Sequence, residues 1–425
     1  MKVLVVGGGG REHALCWKLK RSPSVSEIIC APGNAGIIND ARCVNIDADD
    51  VAGQLDLASK AKPDLVVIGP EVPLVLGLAD QLREKGFSVF GPGKDAAQLE
   101  GSKAFSKQLM AEAGVPTARF ETHSDIKLAE ETIRKWGAPI VIKASGLAAG
   151  KGVIVAEDVA TAITAARDML SGTSFGNAGR EVVIEEFLSG EEASLFFLIS
   201  GDDILWLDSS QDHKRQLDGD LGPNTGGMGA YSPAPCVTPE ITAFAIQHVA
   251  RPTVDALKSR GMEYIGILYC GLMLTAAGPR LLEYNVRFGD PECQPLMSRL
   301  KSDLGEVLLA AADGHLAGTK LAWDERAALT VVVASSGYPG SYEKGQVING
   351  LDEIESAGAT VFHAGTAKKN GRIVNSGGRV LGINALGDTV SEAQQSAYRA
   401  MQCLDWPSGF YRRDIGFRAV DRKEA

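Results

Sequence analysis

The first hundred residues alternate short apolar runs with amphipathic stretches, and this rhythm constrains the fold more than any other feature of the chain. "KVLVVG" is followed by "REHALCWKLKRS", "SEIICAPGN", "VAGQLDLASKAK", "PDLVVIGP", "LVLGLADQLREKG" and "FSVFGPG". Two strands that pair in parallel need a crossover of a dozen or so residues between them, usually a helix. The alternation therefore predicts an N-terminal parallel, Rossmann-like α/β unit over 1–100. The glycines after "VLVVG" raise the dinucleotide pattern GxGxxG. Its third small position falls on Glu12 when counted from Gly7 and on His13 when counted from Gly8. The second run ends in "APGNAG", where that pattern wants an acid for a ribose hydroxyl. An NAD-dependent oxidoreductase stays only as the alternative. The free amides that open the first helix still call for an anion.

A second stretch, "KASGLAAGKGV" (143–153), carries three glycines and two lysines. The P-loop pattern GxxxxGK[ST] does not fit it. Three residues separate Gly146 from Gly150, and Gly152 follows Lys151 where a hydroxyl is needed. "PIVIKA" before it and "KGVIVA" after it are both β-branched runs, so the glycines join two strands. A P-loop would run from strand into helix. With the helix "DVATAITAARDML" and the strand "EVVIEEFL", this hairpin makes a compact α+β unit near 121–188. It sits inside a larger unit, 101–325, that opens with the amphipathic helix "GSKAFSKQLMAEAG". Within that unit, 209–233 ("SSQDHKRQLDGDLGPNTGGMGAYSP") shows little apolar periodicity and reads as a long functional or disordered loop. The remaining residues, 326–425, read as a C-terminal α+β unit whose helix "TVSEAQQSAYRAMQCL" opens with a Thr389–Glu392 capping box.

Composition narrows the class. A net charge of −10 over 425 residues argues against general binding to nucleic acid or anionic membranes, and no apolar run could span a bilayer. The seven cysteines form no CxxC pair and are odd in number, as expected of reduced thiols in a cytoplasmic protein. The six histidines are dispersed, without metal-ligand spacing, and His213 in "QDHKR" is not expected to act as a base. No nucleophile signature such as GxSxG is present.

Two further stretches carry charge where a strand ends. In "LLEYNVRFGDPECQP" (281–295), Glu283 and Asn285 stand two apart on one strand face. Hard oxygen donors so placed suit a divalent ion that bridges nucleotide phosphates; the plainer alternative is a surface strand end. Arg287, Asp290 and Glu292 follow in a turn. In "VVIEEFLSGEE" (182–192), paired acids precede a turn. That stretch is either an edge strand with solvated carboxylates or a hinge that meets an adenine edge. A nucleotide, a divalent ion and anions point to phosphoryl transfer by positioning and charge neutralisation.

Together, a lysine in a helix, a lysine before a glycine-rich hairpin, "EEFL" and "ExN" resemble the ATP-grasp superfamily. More narrowly, "GREHAL", "PGNAG", "GPEVPLVLG", "FGPG…AAQLEGSKAF", "SQDHKR", "GPNTGGMGAYSP" and "RFGDPE" occur in the order of the glycinamide ribonucleotide synthetase family, and the likeness runs to "RRDIGFRA". The resemblance implies an ATP-grasp core with a small lid, and joining of glycine to 5-phosphoribosylamine through glycyl phosphate, with Mg2+ or Mn2+. It assigns Lys103 and Lys143 to ATP phosphates, under a flap that includes Gly146, Gly150, Lys151 and Gly152. Glu185, Glu186, Phe187 and Leu188 would bind ATP, the Glu186 carbonyl and Leu188 amide reading adenine, and Glu192 (or Glu191) the ribose. Glu283 and Asn285 would hold the metal. Arg287, with Lys143, would be catalytic, Arg287 meeting glycine's carboxylate or the acyl-phosphate charge. Gly8, Gly9, Gly10, Arg11, Glu12, Gly33 and Asn34 would contact the phosphoribosyl group. Asp212, Lys214, Gly226, Gly227, Gly229 and Asp290 would close the acceptor side. The chain departs from the family at Ser145, where an aspartate is common, and at Cys270, near the place of a third metal-binding acid. A monomer is expected, and another purine-pathway ATP-grasp ligase is the nearest rival.

Overall fold

The computed structural model describes residues 1–148, 152–172 and 176–422. The N-terminal alternation folds as its rhythm predicts. Arg42–Cys43, Glu27–Pro32, Lys2–Gly7, Leu65–Ile68 and Val89–Phe90 lie side by side in that order, all parallel. Helices Gly10–Lys20, Val51–Ala61 and Leu78–Glu84 fill the connections. Val3 to Val6 are wholly buried, because helices cover both faces of such a sheet. Strand order reverses between Lys2–Gly7 and Leu65–Ile68, which opens a crevice at their carboxyl ends.

A four-stranded antiparallel sheet forms the small unit, in the order Phe120–His123, Val182–Glu186, Ile140–Ala144, Val153–Ala156. Helices Ile126–Trp136 and Val159–Leu170 pack on it, capped by Asp125 and Asp158. Its buried residues, from Ala129 to Ile184, form an apolar cluster of their own. Lys143 pairs with Val153, so the glycine-rich segment joins two antiparallel strands. Val182–Glu186 lies between two other strands, which removes the edge-strand alternative, and Glu185 is buried.

The largest sheet runs Gly278–Asn285, Ile265–Thr275, Glu191–Ser200, Asp203–Asp212, Gly229–Ser232, Ala327–Ser335, Arg379–Gly387, Thr360–His363, each neighbour antiparallel. Gly229–Ser232 pairs with Gln211–Asp212 on one side and Ala328–Val331 on the other, so one sheet continues across residue 325. The expected 209–233 loop is largely strand, for it also holds the hairpin Arg215–Leu217 with Leu221–Asn224. That hairpin's Leu217 and Leu221 are exposed, so no buried face imprinted alternation on its sequence.

Val3 and Val5 of the N-terminal sheet belong to the same buried cluster as Phe196, Leu198 and Ile267 of the large sheet. At the other end, Leu329, Val331 and Val333 share a cluster with Ala393, Ala397 and Ala400 of helix Val390–Met401. Thr389 caps that helix by accepting from the Glu392 amide, while the Glu392 carboxylate accepts from Asp388, one residue before the partner a capping box requires.

Candidate active site

A cavity of about 640 Å³ lies where the N-terminal crevice, the small unit, the large sheet and the C-terminal stretch meet. Ser102 caps helix Lys103–Glu112 and delivers Lys103 to its wall. The Lys103 amide donates to the Ser145 carbonyl (2.7 Å), and its ammonium donates to the Gly146 carbonyl (3.2 Å). Ser145, where an acid is common, is buried; its hydroxyl accepts from the Ala104 amide at 3.2 Å and so ties the hairpin to the helix.

Lys143, next to last in its strand, stands beside the same wall, with its ammonium 2.8 Å from Glu185 Oε1 and 3.5 Å from the Leu282 carbonyl. The other Glu185 oxygen is 3.0 Å from Lys107, a residue the sequence reading did not single out. Burial pushes Glu185 up, but Lys143 and Lys107 outweigh it and hold the carboxyl below its ordinary range. Burial lowers Lys107 to about 8. The spacing of Lys103 and Lys107, four apart on one helix face, was the available signal.

Gly152 lines the cavity, whereas Gly146 packs against Ala178 behind it. Gly150 and Lys151 lie outside the described residues. Glu186, which ends its strand, and Phe187 and Leu188 after it line the wall. Alternation along Glu191–Ser200 separates the next two acids. Glu192 faces the cavity and pairs with Lys214 at 2.6 Å, while Glu191 takes Gln211 (3.0 Å) and Arg422 (3.3 Å) instead.

Glu283 and Asn285 both face the cavity. Burial pushes Glu283 up, yet Lys214, Lys143, Lys103 and Arg287 hold it below the usual carboxylate range. The Asn285 amide nitrogen, oriented to satisfy both its ends, donates to the Tyr284 carbonyl (3.0 Å) and Glu100 (3.3 Å). An ionised carboxylate and an amide oxygen on one strand face fit a hard divalent ion. Among the described residues no group of three or more His, Cys, Asp or Glu could hold a metal. The pair by itself offers a metal two donors and no more. Gly271 stands opposite Glu283, and Cys270 is buried in the apolar core.

Arg287 reaches Glu100 (2.7 Å), Glu71 (3.2 Å) and the Phe288 carbonyl (3.2 Å). Burial opposes its charge, but Glu100 and Glu71 more than offset this and raise its pKa. Burial pushes Glu100 up to about 7 in spite of Arg287. Glu71 lies in "GPEVPLVLG" and Glu100 in "AAQLEGSKAF", where neither spacing nor pattern marks an acid for a site.

Arg11 lines the cavity; Glu12 does not. The Glu12 carboxylate takes the Gly9 amide and the Arg11 guanidinium, both at 2.6 Å, so the first helix carries its own anion. Gly8 lies so close to Gly33 that a Cβ on it would come within 2.5 Å of the Gly33 carbonyl oxygen. Asn34 binds the Gly8 and His363 carbonyls at 2.9 and 2.8 Å, joining these loops to the C-terminal stretch. Gly9 and Gly10 face the Asp290 carboxylate.

Of the residues expected to close the acceptor side, Asp212, Lys214, Gly226 and Asp290 line the cavity, while Gly227 packs on Pro291 and Gly229 on Ile415. Burial pushes Asp212 up to about 7, against Lys214. Burial lowers Lys214, but Glu192 and Asp212 hold it well above its ordinary value. His213 accepts from the Gly416 amide (3.1 Å), and burial lowers it to about 3. Six further cavity residues come from beyond 325, among them Arg379 and Tyr338. Arg379 donates to the Gly226 and Asp290 carbonyls, and the Tyr338 hydroxyl accepts from the Gly226 amide (3.0 Å). A Cβ on Gly226 would come within 3.0 Å of the Arg379 guanidinium carbon.

The phosphoribosylglycinamide synthetase family model matches in three successive parts: its N domain over 1–100, its ATP-grasp (A) domain over 101–293 and its C domain over 328–418. A phosphoribosylamine–glycine ligase of Brucella melitensis is 53% identical over 426 residues, covering 100% of both chains. The crystal structure of the phosphoribosylamine–glycine ligase of Thermotoga maritima superposes with a TM-score of 0.86 at 35% identity, over 98% of this chain and 100% of that one. The N5-carboxyaminoimidazole ribonucleotide synthetase of the same organism covers 95% of this chain and 98% of its own, with a TM-score of 0.63 and 19% identity, a likeness of fold alone. Matched along its whole length by family, by relatives and by structure, the chain belongs to the phosphoribosylglycinamide synthetase family.

Proposed function

We propose that this cavity activates glycine with ATP and passes the glycyl group to 5-phosphoribosylamine. The chain is an ATP-dependent carbon–nitrogen ligase of purine biosynthesis, and ATP-grasp enzymes work with a divalent metal. The observation that carries the assignment of residues is that Lys103, Lys143, Glu283, Asn285 and Lys214, from distant parts of the sequence, line one cavity. Lys103 and Lys143 take ATP phosphates. Glu186, Phe187 and Leu188 meet adenine through the backbone, and Glu192 meets the ribose.

Glycine lies near Arg287. A glycine carboxylate oxygen attacks the γ-phosphorus, the bond to ADP breaks, and glycyl phosphate forms. The sugar amine then attacks the acyl carbon, phosphate leaves with the C–O bond's electrons, and the amine gives up its proton. Lys103, Lys143 and Arg287 offset the negative charge that gathers in these steps. Glu283 and Asn285 would hold Mg2+ or Mn2+, which would neutralise phosphate charge when bound.

The small unit, 121–188, has its own apolar cluster and serves as a lid over a central unit of 101–325, between N-terminal 1–100 and C-terminal 326–425 units. No helix among the described residues is long and apolar enough to cross a membrane, and we assign the chain to the cytoplasm as a monomer. ADP release tests the chemistry. It should require glycine and phosphoribosylamine together, and equal release with another acid or amine would overturn the substrate assignment.

A further inference from the structure

Lys107 has no part in the reaction as written, yet its ammonium is among the most deeply placed charges of the molecule. The side chain is 2% exposed. A lysine so buried is driven towards its neutral form unless partners hold the proton. Here they are specific. The ammonium is 3.0 Å from Glu185 Oε2 and donates to Thr117 Oγ1 at 2.7 Å, and that hydroxyl donates onward to the Leu281 carbonyl at 2.6 Å. Glu185 offers its other oxygen to Lys143. One ammonium thus links helix Lys103–Glu112, strand Val182–Glu186 and strand Gly278–Asn285, the last carrying Glu283 and Asn285.

We infer that Lys107 is a positioning residue of the nucleotide site, holding the Glu185 carboxylate so that Lys143 stands at the cavity wall with its charge directed to phosphate. The argument is one of geometry and charge balance. Glu185 has two oxygens and two ammonium partners, one on each. Without Lys107, the carboxylate is free to turn both oxygens to Lys143, which draws that ammonium off the wall and neutralises it. Three lysines (103, 107 and 143) against Glu185 and Glu283 still leave an excess of positive charge where a polyphosphate is to bind. Removing Lys107 lowers that excess as well. The groups that act on Lys107 are Glu185 and Glu283, which favour its charge, and Lys143, which opposes it. The inference rests on the reading of this cavity as the ATP site.

The test uses the full chain and a non-hydrolysable ATP analogue with magnesium, measured by calorimetry beside a melting curve. Lys107→Met should weaken the analogue at least tenfold and raise the ATP KM, with the glycine KM within twofold of wild type. Thr117→Val, close to isosteric, removes only the hydroxyl relay and should weaken the analogue about threefold; it serves if the methionine variant does not fold. A pH series supplies a readout that a purely structural lysine would not move. Wild-type affinity should fall above about pH 8, and that limb should be absent in Lys107→Met. Analogue affinity within twofold of wild type in both variants, whatever their melting points, overturns the inference. Lys143→Met separates the two levels. If it too binds the analogue like wild type, the nucleotide assignment itself fails; if it alone loses binding, only the role of Lys107 does.

Discussion

Replacing Arg287 by lysine keeps the charge and removes the fork, and the structure sets the size of the effect. Its guanidinium contacts Glu100, Glu71 and the Phe288 carbonyl through three different nitrogens, engaging three of its five N–H groups. A lysine ammonium, a single point on a flexible stem, can retain one of these contacts well. Two hydrogen bonds involving a charged group are then lost, at about 1.5 kcal/mol each, or about 3 kcal/mol in all. If the two remaining N–H groups grip the glycine carboxylate and steady the acyl phosphate, their loss, again about 3 kcal/mol, appears in the transition state as roughly a 150-fold fall in kcat/KM for glycine. ATP affinity should stay nearly constant. If Arg287 only pins Glu71 and Glu100 across the crevice, the same loss appears as a melting point lower by several degrees. Steady-state kinetics with varied glycine, read beside a melting curve, separate the two. A lysine variant that melts markedly lower, while its folded fraction keeps wild-type kcat and glycine KM, makes Arg287 scaffolding and refutes its catalytic role.

Glu283→Gln should abolish turnover at ordinary magnesium while the melting point changes little; near-normal activity at saturating magnesium would take Glu283 out of the metal site. Hydrogen exchange in strands Ile140–Ala144 and Val153–Ala156 should slow when a non-hydrolysable ATP analogue binds, and unchanged exchange at saturation would argue for a static site. Stability should fall on acidification through His213. Its folded pKa of about 3 lies below the ordinary 6.5, so the unfolded chain takes up a proton first and stability is lost as pH falls from about 6.5 toward 3. Between pH 6.5 and 5 this amounts to about 2 kcal/mol. His213→Gln keeps an acceptor for the Gly416 amide and should lose that much less over the same span in urea titrations; an equal loss would clear His213.

What could be read from the residues follows from which of them carry a pattern imposed by burial. The N-terminal alternation was plain because its strands are covered on both faces. Two β-branched runs around glycines announced the hairpin for a similar reason. The strands within 209–233 left no such trace: Gly229–Ser232 is buried throughout but is built of Gly, Ala, Tyr and Ser rather than of a β-branched apolar run, and the exposed hairpin beside it has no apolar face. Lone residues were harder still. Arg379 opens a strand, and Tyr338 sits in a turn; neither stands in a motif, and only the continuation of the sheet brings them to the cavity. The choice between Glu191 and Glu192 needed the strand's phase, which the structure supplies through pairing with Met273 and Leu274.

The seam at Gly229–Ser232 also bears on how this chain can be divided. Four residues stitch the ATP-grasp strands to the final hundred, hydrogen-bonded on both sides. A chain stopped near residue 325 would strip one side of that ribbon and bare a row of unpaired amides and carbonyls, an invitation to stick to other copies. It would also remove Ile415, which lies against Gly229, and the backbone amide that His213 accepts. The C-terminal hundred residues are therefore a selvedge that keeps the fabric from fraying, and a fragment lacking them should be sought in the pellet rather than in solution.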